Sequence, residues 1–168
     1  MKELIYNQKT IPKAKWRYGI RSSAAAGCGW IATYNALILM GYEAFPKPLI
    51  RYFVKQIPLV NGVFGTVAWG PALYFKKRGF KITCSLRRKR FDEIIKNNDV
   101  CVLYYRWISK WKFGGHFVTV KYQDGRILGY NTYTNSVGPD EYGDSLEAFL
   151  KKKKYFGALL VGIKNKQS

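Results

Sequence analysis

The hydrophobic pattern changes period once along the chain. From Cys28 to Met40 the apolar residues Ile31, Ala32, Ala36, Leu37, Ile38 and Leu39 surround a helix on most sides rather than striping one face. That spacing predicts a buried central helix, stopped by Gly41. Pro46 and Pro48 open a second helical stretch over 49–57, residues 58–64 read as a loop, and a third helix fits 66–78 with Gly79 at its end. Pro71 lies inside that third window, so the helix either starts near Trp69 or kinks there. After Gly79 the period drops to two. Residues 80–86 alternate strictly and predict a strand, 91–96 a short helix, and 100–107 a β-rich run. Residues 117–122 and 126–133 flank Asp124-Gly125, a strong short-range hairpin signal. A short helix over 146–153 and a strand over 158–163 close the chain. Helices first and strands afterwards indicate an α+β fold in one domain spanning 1–168, with 1–27 as an irregular N-terminal arm.

Composition agrees with a packed core: 48% of the 168 residues are hydrophobic and 17% aromatic. Charge is the departure. Twenty-nine Lys and Arg against 10 Asp and Glu leave a net +19, a field that favours anionic partners. The cations do not form one stripe; local runs occur at Arg87 to Arg90 and Lys151 to Lys154, and the second suits the C-terminal end of a helix. Aromatics interleave with cations at Tyr105-Arg106-Trp107 and Lys110-Trp111-Lys112-Phe113, just before a Gly-Gly-His step. The N-terminal residues lack an apolar stretch of signal-peptide length and no run of eighteen apolar residues occurs, so the expectation is a cytoplasmic chain without a membrane span.

Three cysteines and one histidine narrow the chemistry. No Cys-x-x-Cys pair exists, and one His leaves little to build a metal site from, so neither metal nor cofactor is expected. Cys28 stands between two glycines at the predicted start of the central helix. There, unpaired N–H groups favour a thiolate, and the glycines leave room for a substrate backbone. Cys84, sharing a strand face with Ile82 and Leu86, and Cys101, between Val100 and Val102, read as core. His116 is the one base available to a nucleophilic thiol. The hairpin supplies a third residue. If Asp124 and Gly125 are the two loop residues, Gln123 faces Arg126 and, running the register back, His116 faces Tyr133. Asn131 then lies diagonal to His116 on the same face, within side-chain reach, and Thr132 points the other way.

These residues carry a family resemblance. Tyr6-Asn7-Gln8, Trp16, Ala26-Gly27-Cys28-Gly29 and Gly115-His116-Phe117-Val118-Thr119-Val120 resemble, in order, the C39-like branch of papain-like cysteine peptidases. The resemblance implies a papain-like fold, with the catalytic Cys on a central helix in the N-terminal helical half and the His on a C-terminal antiparallel sheet. It implies Cys28 and His116 as the catalytic pair. It also implies a glutamine completing the oxyanion hole with the Cys28 N–H; Gln8 matches that role, although Ser22 and Ser23 stand where a nearer donor would be expected. The third family member is usually an Asp followed by Pro. Here the matching stretch is Tyr130-Asn131-Thr132, and an Asn in that role resembles the papain branch. Trp30 replaces the Pro that often follows the Cys-Gly pair.

The function expected from the sequence is hydrolysis of a peptide or other amide through a Cys28-His116-Asn131 triad and an acyl-enzyme, on a peptide or protein substrate that the charge would favour being acidic. Two alternatives remain: an inactive papain-like binding module, and, as the lesser one, a basic nucleic-acid-binding protein that stacks bases on its aromatic residues.

Overall fold

The computed structural model describes residues 3–56, 65–109 and 112–165; the loop expected over 58–64 and part of the aromatic–cationic run at 110–113 lie outside them. Helix α1 (Ser23–Ala26) leads into α2 (Cys28–Leu39), followed by α3 (Pro46–Val54) and α4 (Gly70–Lys76). Strands β1 (Arg17–Tyr18) and β2 (Arg21–Ser22) form a small hairpin ahead of α1. The second half contains β3 (Lys81–Ser85), α5 (Phe91–Lys96), β4 (Val100–Ser109), β5 (Lys112–Gln123), β6 (Arg126–Tyr130), β7 (Asp140–Gly143), α6 (Leu146–Lys152) and β8 (Phe156–Lys164). The main sheet has six strands in the order β3-β8-β4-β5-β6-β7, paired antiparallel throughout. This is the α+β segregation that the change of period predicts. No helix among the described residues is long and apolar enough to cross a membrane.

Central strands of the sheet are covered on both faces. Val100, Val102, Phe117, Leu159, Val161 and Ile163 pack with α2, α3 and α4, while Cys101, Leu103, Val118, Val120 and Leu160 pack with α5 and α6. Helix α2 is buried on most sides, as its all-round apolarity requires; Trp30, Ile31, Ala32, Tyr34 and Ala36 are each 0% exposed. It stops at Gly41, whose φ of +83° is open to glycine at no steric cost. The Gly41 and Tyr42 N–H groups close the last turn on the Ile38 and Leu37 carbonyls, at 3.0 and 2.9 Å. Against the sheet, α2 is fixed by the Thr119 hydroxyl, which donates to the Ala32 carbonyl at 2.7 Å.

Three expectations are corrected. The third helix begins at Gly70, not Thr66, because Pro71 is accommodated only in the first turn. Cys84 is exposed rather than core: it lies near the end of the edge strand β3, where Ile82 on the same face still packs against the core but Leu86 beyond it is 62% exposed. Cys101, in the central strand β4, is fully buried. The N-terminal arm is not irregular. The Asn35 side chain, buried in α2, accepts from the Ile5 N–H at 2.9 Å and donates to the Ile5 carbonyl at 2.8 Å, strapping the arm to the helix. The strap leads into a 3-10 turn over Gln8–Thr10, capped by the Asn7 side chain.

Candidate active site

Cys28 opens α2 and His116 lies inside β5, so packing of α2 on β5 brings both to one end of the sheet. Strand β6 ends at Tyr130, opposite Thr119, leaving the β6-side edge of β5 unpaired beyond that point. Cys28 stands at this open edge: its sulfur accepts from the backbone N–H of Phe117, the residue after His116, and from the N–H groups of Gly29 and Cys28 itself. Among the described residues no hydrogen bond joins the Cys28 thiol to the His116 ring. The imidazole Nε2 instead lies 2.7 Å from the backbone carbonyl oxygen of Asn131. With Nε2–H donating to that carbonyl, Nδ1 is the free basic nitrogen.

Hairpin arithmetic holds as far as the strand does. Gln123 faces Arg126, and the register runs unbroken to Thr119 opposite Tyr130. Asn131 then turns left-handed, with φ +65°, and the chain leaves the sheet. Asparagine is among the few residues other than glycine that tolerate this conformation. The consequence is a correction: the expected side-chain contact between Asn131 and His116 is made by the Asn131 main chain. Its side chain, in a residue 2% exposed, faces the N-terminal arm. There Oδ1 accepts from the Gln8 N–H at 2.8 Å and Nδ2 donates to Gln8 Oε1 at 3.2 Å. Gln8 Nε2 in turn donates to the Ala24 carbonyl at 3.2 Å, ahead of Cys28. Asn131 therefore joins His116 to Gln8. Thr132 does point elsewhere, its hydroxyl 2.7 Å from that of Tyr142. Of the nearer donors, Ser23 is committed: its hydroxyl accepts from the Trp30 indole N–H at 3.0 Å and donates to the Trp16 carbonyl.

Local packing requires the glycines flanking Cys28 and preceding His116, and Gly115 also lines an open cleft beside His116. A Cβ on Gly27 would lie 2.6 Å from Trp30 Nε1, and one on Gly29 would lie 2.2 Å from Thr66 Oγ1. In β5, Trp107 covers Gly114 and Tyr104 covers Gly115, with 2.7 and 2.5 Å left for an added Cβ.

Burial sets the electrostatics. It pushes the Cys28 thiol up, outweighing the three N–H groups and the positive field of Lys9 that favour thiolate. It pulls the His116 imidazole down, against the Asn131 carbonyl, which favours the protonated ring; Lys9 adds to the lowering. Both shifts favour the uncharged forms, thiol and neutral imidazole, and oppose the thiolate that the helix terminus favours.

An open cleft of about 590 Å³ lies alongside, lined by Gln8, Lys9, His116, Asn131, Tyr105 and Tyr133 among others. Ala25, one turn before Cys28, lines it; Cys28 does not. Tyr105 sits directly across from His116 in the β4–β5 ladder, ring to ring at 5.9 Å, and stacks on Tyr155 at 4.2 Å. Sequence reasoning missed Lys9, and it singled out Tyr105 in the aromatic–cationic run without placing it opposite His116. The alternation of β4 puts Tyr105 on a definite face, but the register against β5 depends on a turn with no Asn-Gly or Asp-Gly signal.

No family model and no curated protein matches the sequence. Among solved structures the fold is similar to the crystal structure of the peptidase domain of Streptococcus ComA, a bifunctional ABC transporter involved in a quorum-sensing pathway. The match has a TM-score of 0.51 and 17% identity, and covers 82% of this chain and 92% of that domain. The likeness is one of fold: helices and an antiparallel sheet arranged as in that peptidase domain.

Proposed function

We propose that the chain is a papain-like cysteine hydrolase, of C39-like kind, that cleaves a peptide or related amide with Cys28 as nucleophile and His116 as general base. The observation that carries this reading is the Asn131 junction. One buried residue holds the only imidazole by its carbonyl and the arm glutamine by its side chain, at the strand edge where the Cys28 sulfur sits. Because burial favours the uncharged forms, His116 Nδ1 takes the thiol proton as the sulfur attacks the carbonyl, rather than holding a preformed ion pair. The Asn131 carbonyl fixes the ring and its tautomer and stabilises the imidazolium that forms. The tetrahedral oxyanion is met by the Cys28 N–H and the second N–H of the Gln8 side chain. The imidazolium then protonates the leaving amine, and water resolves the thioester with His116 again as base.

The test is turnover of a mixed peptide library, read by mass spectrometry, with the native chain, Cys28→Ala and His116→Ala. Cleavage by the native chain that both variants lose supports the reading. Cleavage that survives Cys28→Ala refutes it, and no cleavage with any library refutes it in favour of the binding module, the alternative suggested by the missing thiol–imidazole hydrogen bond.

A further inference from the structure

The cleft is chemically one-sided. Among the described residues its lining contains three tyrosines, several amides and hydroxyls, and no carboxylate, and Lys9 is the one permanently charged side chain. Lys9 is exposed and forms no ion pair among the described residues. Its field nonetheless reaches both Cys28 and His116. More cations stand behind the far wall. The Lys153 ammonium lies 5.3 Å from the ring centroid of Tyr133, and the Arg88 guanidinium donates to the Tyr155 carbonyl. None of the carboxylates near this region lines the cleft or pairs with Lys9 or Lys153 among the described residues. Asp140 takes the Ser136 hydroxyl at 2.6 Å, Asp92 caps α6 through the Leu146 N–H at 2.7 Å, and Glu141 pairs with Arg126 at 2.6 Å.

We infer that the cleft selects acidic peptides, with Lys9 receiving a substrate carboxylate close to the bond at Cys28 and Lys153 receiving a second one beyond Tyr133. This rests on the hydrolase reading for its site but not for its test. An uncompensated cation beside a cleft holds no partner of its own to give up, so a carboxylate arriving there gains attraction without breaking an ion pair. At 6–8 Å, with a surface dielectric between that of protein and water, one such contact amounts to about three- to tenfold in affinity. The charge of +19 adds long-range attraction, which salt screens and which does not choose a site.

The experiment measures binding of three fluorescein-labelled decapeptides, (Glu-Gly)5, (Gln-Gly)5 and (Lys-Gly)5, to the intact chain, with peptide integrity followed by mass spectrometry. The ring proton of the single histidine reports occupancy of the cleft. The expected order is Glu above Gln above Lys. The Glu peptide should shift the His116 signal. Lys9→Gln should weaken that peptide about three- to tenfold and leave the Gln peptide unchanged, while Lys47→Gln on α3 should change neither. Equal losses from Lys9→Gln and Lys47→Gln, or tight Glu-peptide binding that leaves His116 unmoved, would overturn the inference, since adsorption to a basic surface would then explain everything. Binding as expected leaves the acidic cleft standing even where the peptide library of the hydrolase test shows no cleavage, so the two readings fail separately.

Discussion

Substituting Asn131 separates its two jobs. In Asn131→Ala the Gln8 N–H, in a residue 9% exposed, loses its acceptor, which costs about 1–3 kcal/mol. Loss of the longer bond from Nδ2 to Gln8 Oε1 adds about 0.5–1.5 kcal/mol. Alanine must also hold the left-handed backbone at φ +65°, at about 1–2 kcal/mol. The total for alanine is about 2.5–6.5 kcal/mol. Asn131→Gly loses the same two side-chain bonds but takes the backbone without strain, so it should be about 1 kcal/mol more stable than alanine. It should also keep the carbonyl on His116. Urea unfolding gives the stabilities, and the proton NMR titration of the single histidine gives the ring environment. The expected result is a histidine titration close to native in the glycine variant and displaced in the alanine variant, with turnover reduced in both through Gln8. If glycine is no more stable than alanine, or moves the His116 titration as far, then the side chain and not the carbonyl holds the ring.

The folded His116 pKa is lowered by burial, so between that value and the unfolded value of about 6.5 the unfolded chain binds more protons. Stability should be complete above about pH 6.5 and fall as pH drops through the folded pKa, by about 1.4 kcal/mol per unit of depression; His116→Gln should flatten that slope in urea unfolding across pH 5–7, and an unchanged slope would contradict it. Iodoacetamide mapping should label exposed Cys84 readily, Cys28 only as pH rises past the ordinary thiol range, and buried Cys101 only on unfolding; selective labelling of Cys28 near neutrality would show a preformed thiolate instead. Thr132→Ala should cost about 1–3 kcal/mol in unfolding experiments, by stranding the buried Tyr142 hydroxyl, while leaving turnover per folded molecule nearly intact.

What the sequence made legible follows from how local each signal is. The central helix was readable because apolarity on most sides admits one placement and Gly41 stops it. The β5–β6 register was readable because Asp124-Gly125 fixes a two-residue turn, and every pair up to Thr119 and Tyr130 follows. That arithmetic could not foresee where pairing stops. Asn131 leaves the sheet one residue later, so its contact with His116 comes from the carbonyl and not from the expected side chain. The arm read as irregular because its structure is made by long-range partners, Asn35 and Asn131, rather than by any period of its own. Strand β7 escaped notice for a similar reason: a four-residue edge held by the Glu141–Arg126 pair and by Tyr142 stacked on Phe149 has no alternation long enough to read. For the thiol, a sequence displays the helix terminus, which favours thiolate, but not the burial that opposes it.

The central claim is a thioester on Cys28 formed with His116 as base. Its most direct test is intact-mass and peptide-mapped mass spectrometry after rapid mixing with the p-nitrophenyl ester of an N-acetylated acidic dipeptide, while nitrophenolate release is followed. The account predicts a burst of about one equivalent, with the acyl group on Cys28, absent in Cys28→Ala and strongly slowed in His116→Ala. Acylation confined to exposed Cys84, or acylation of Cys28 at an unchanged rate in His116→Ala, would contradict it.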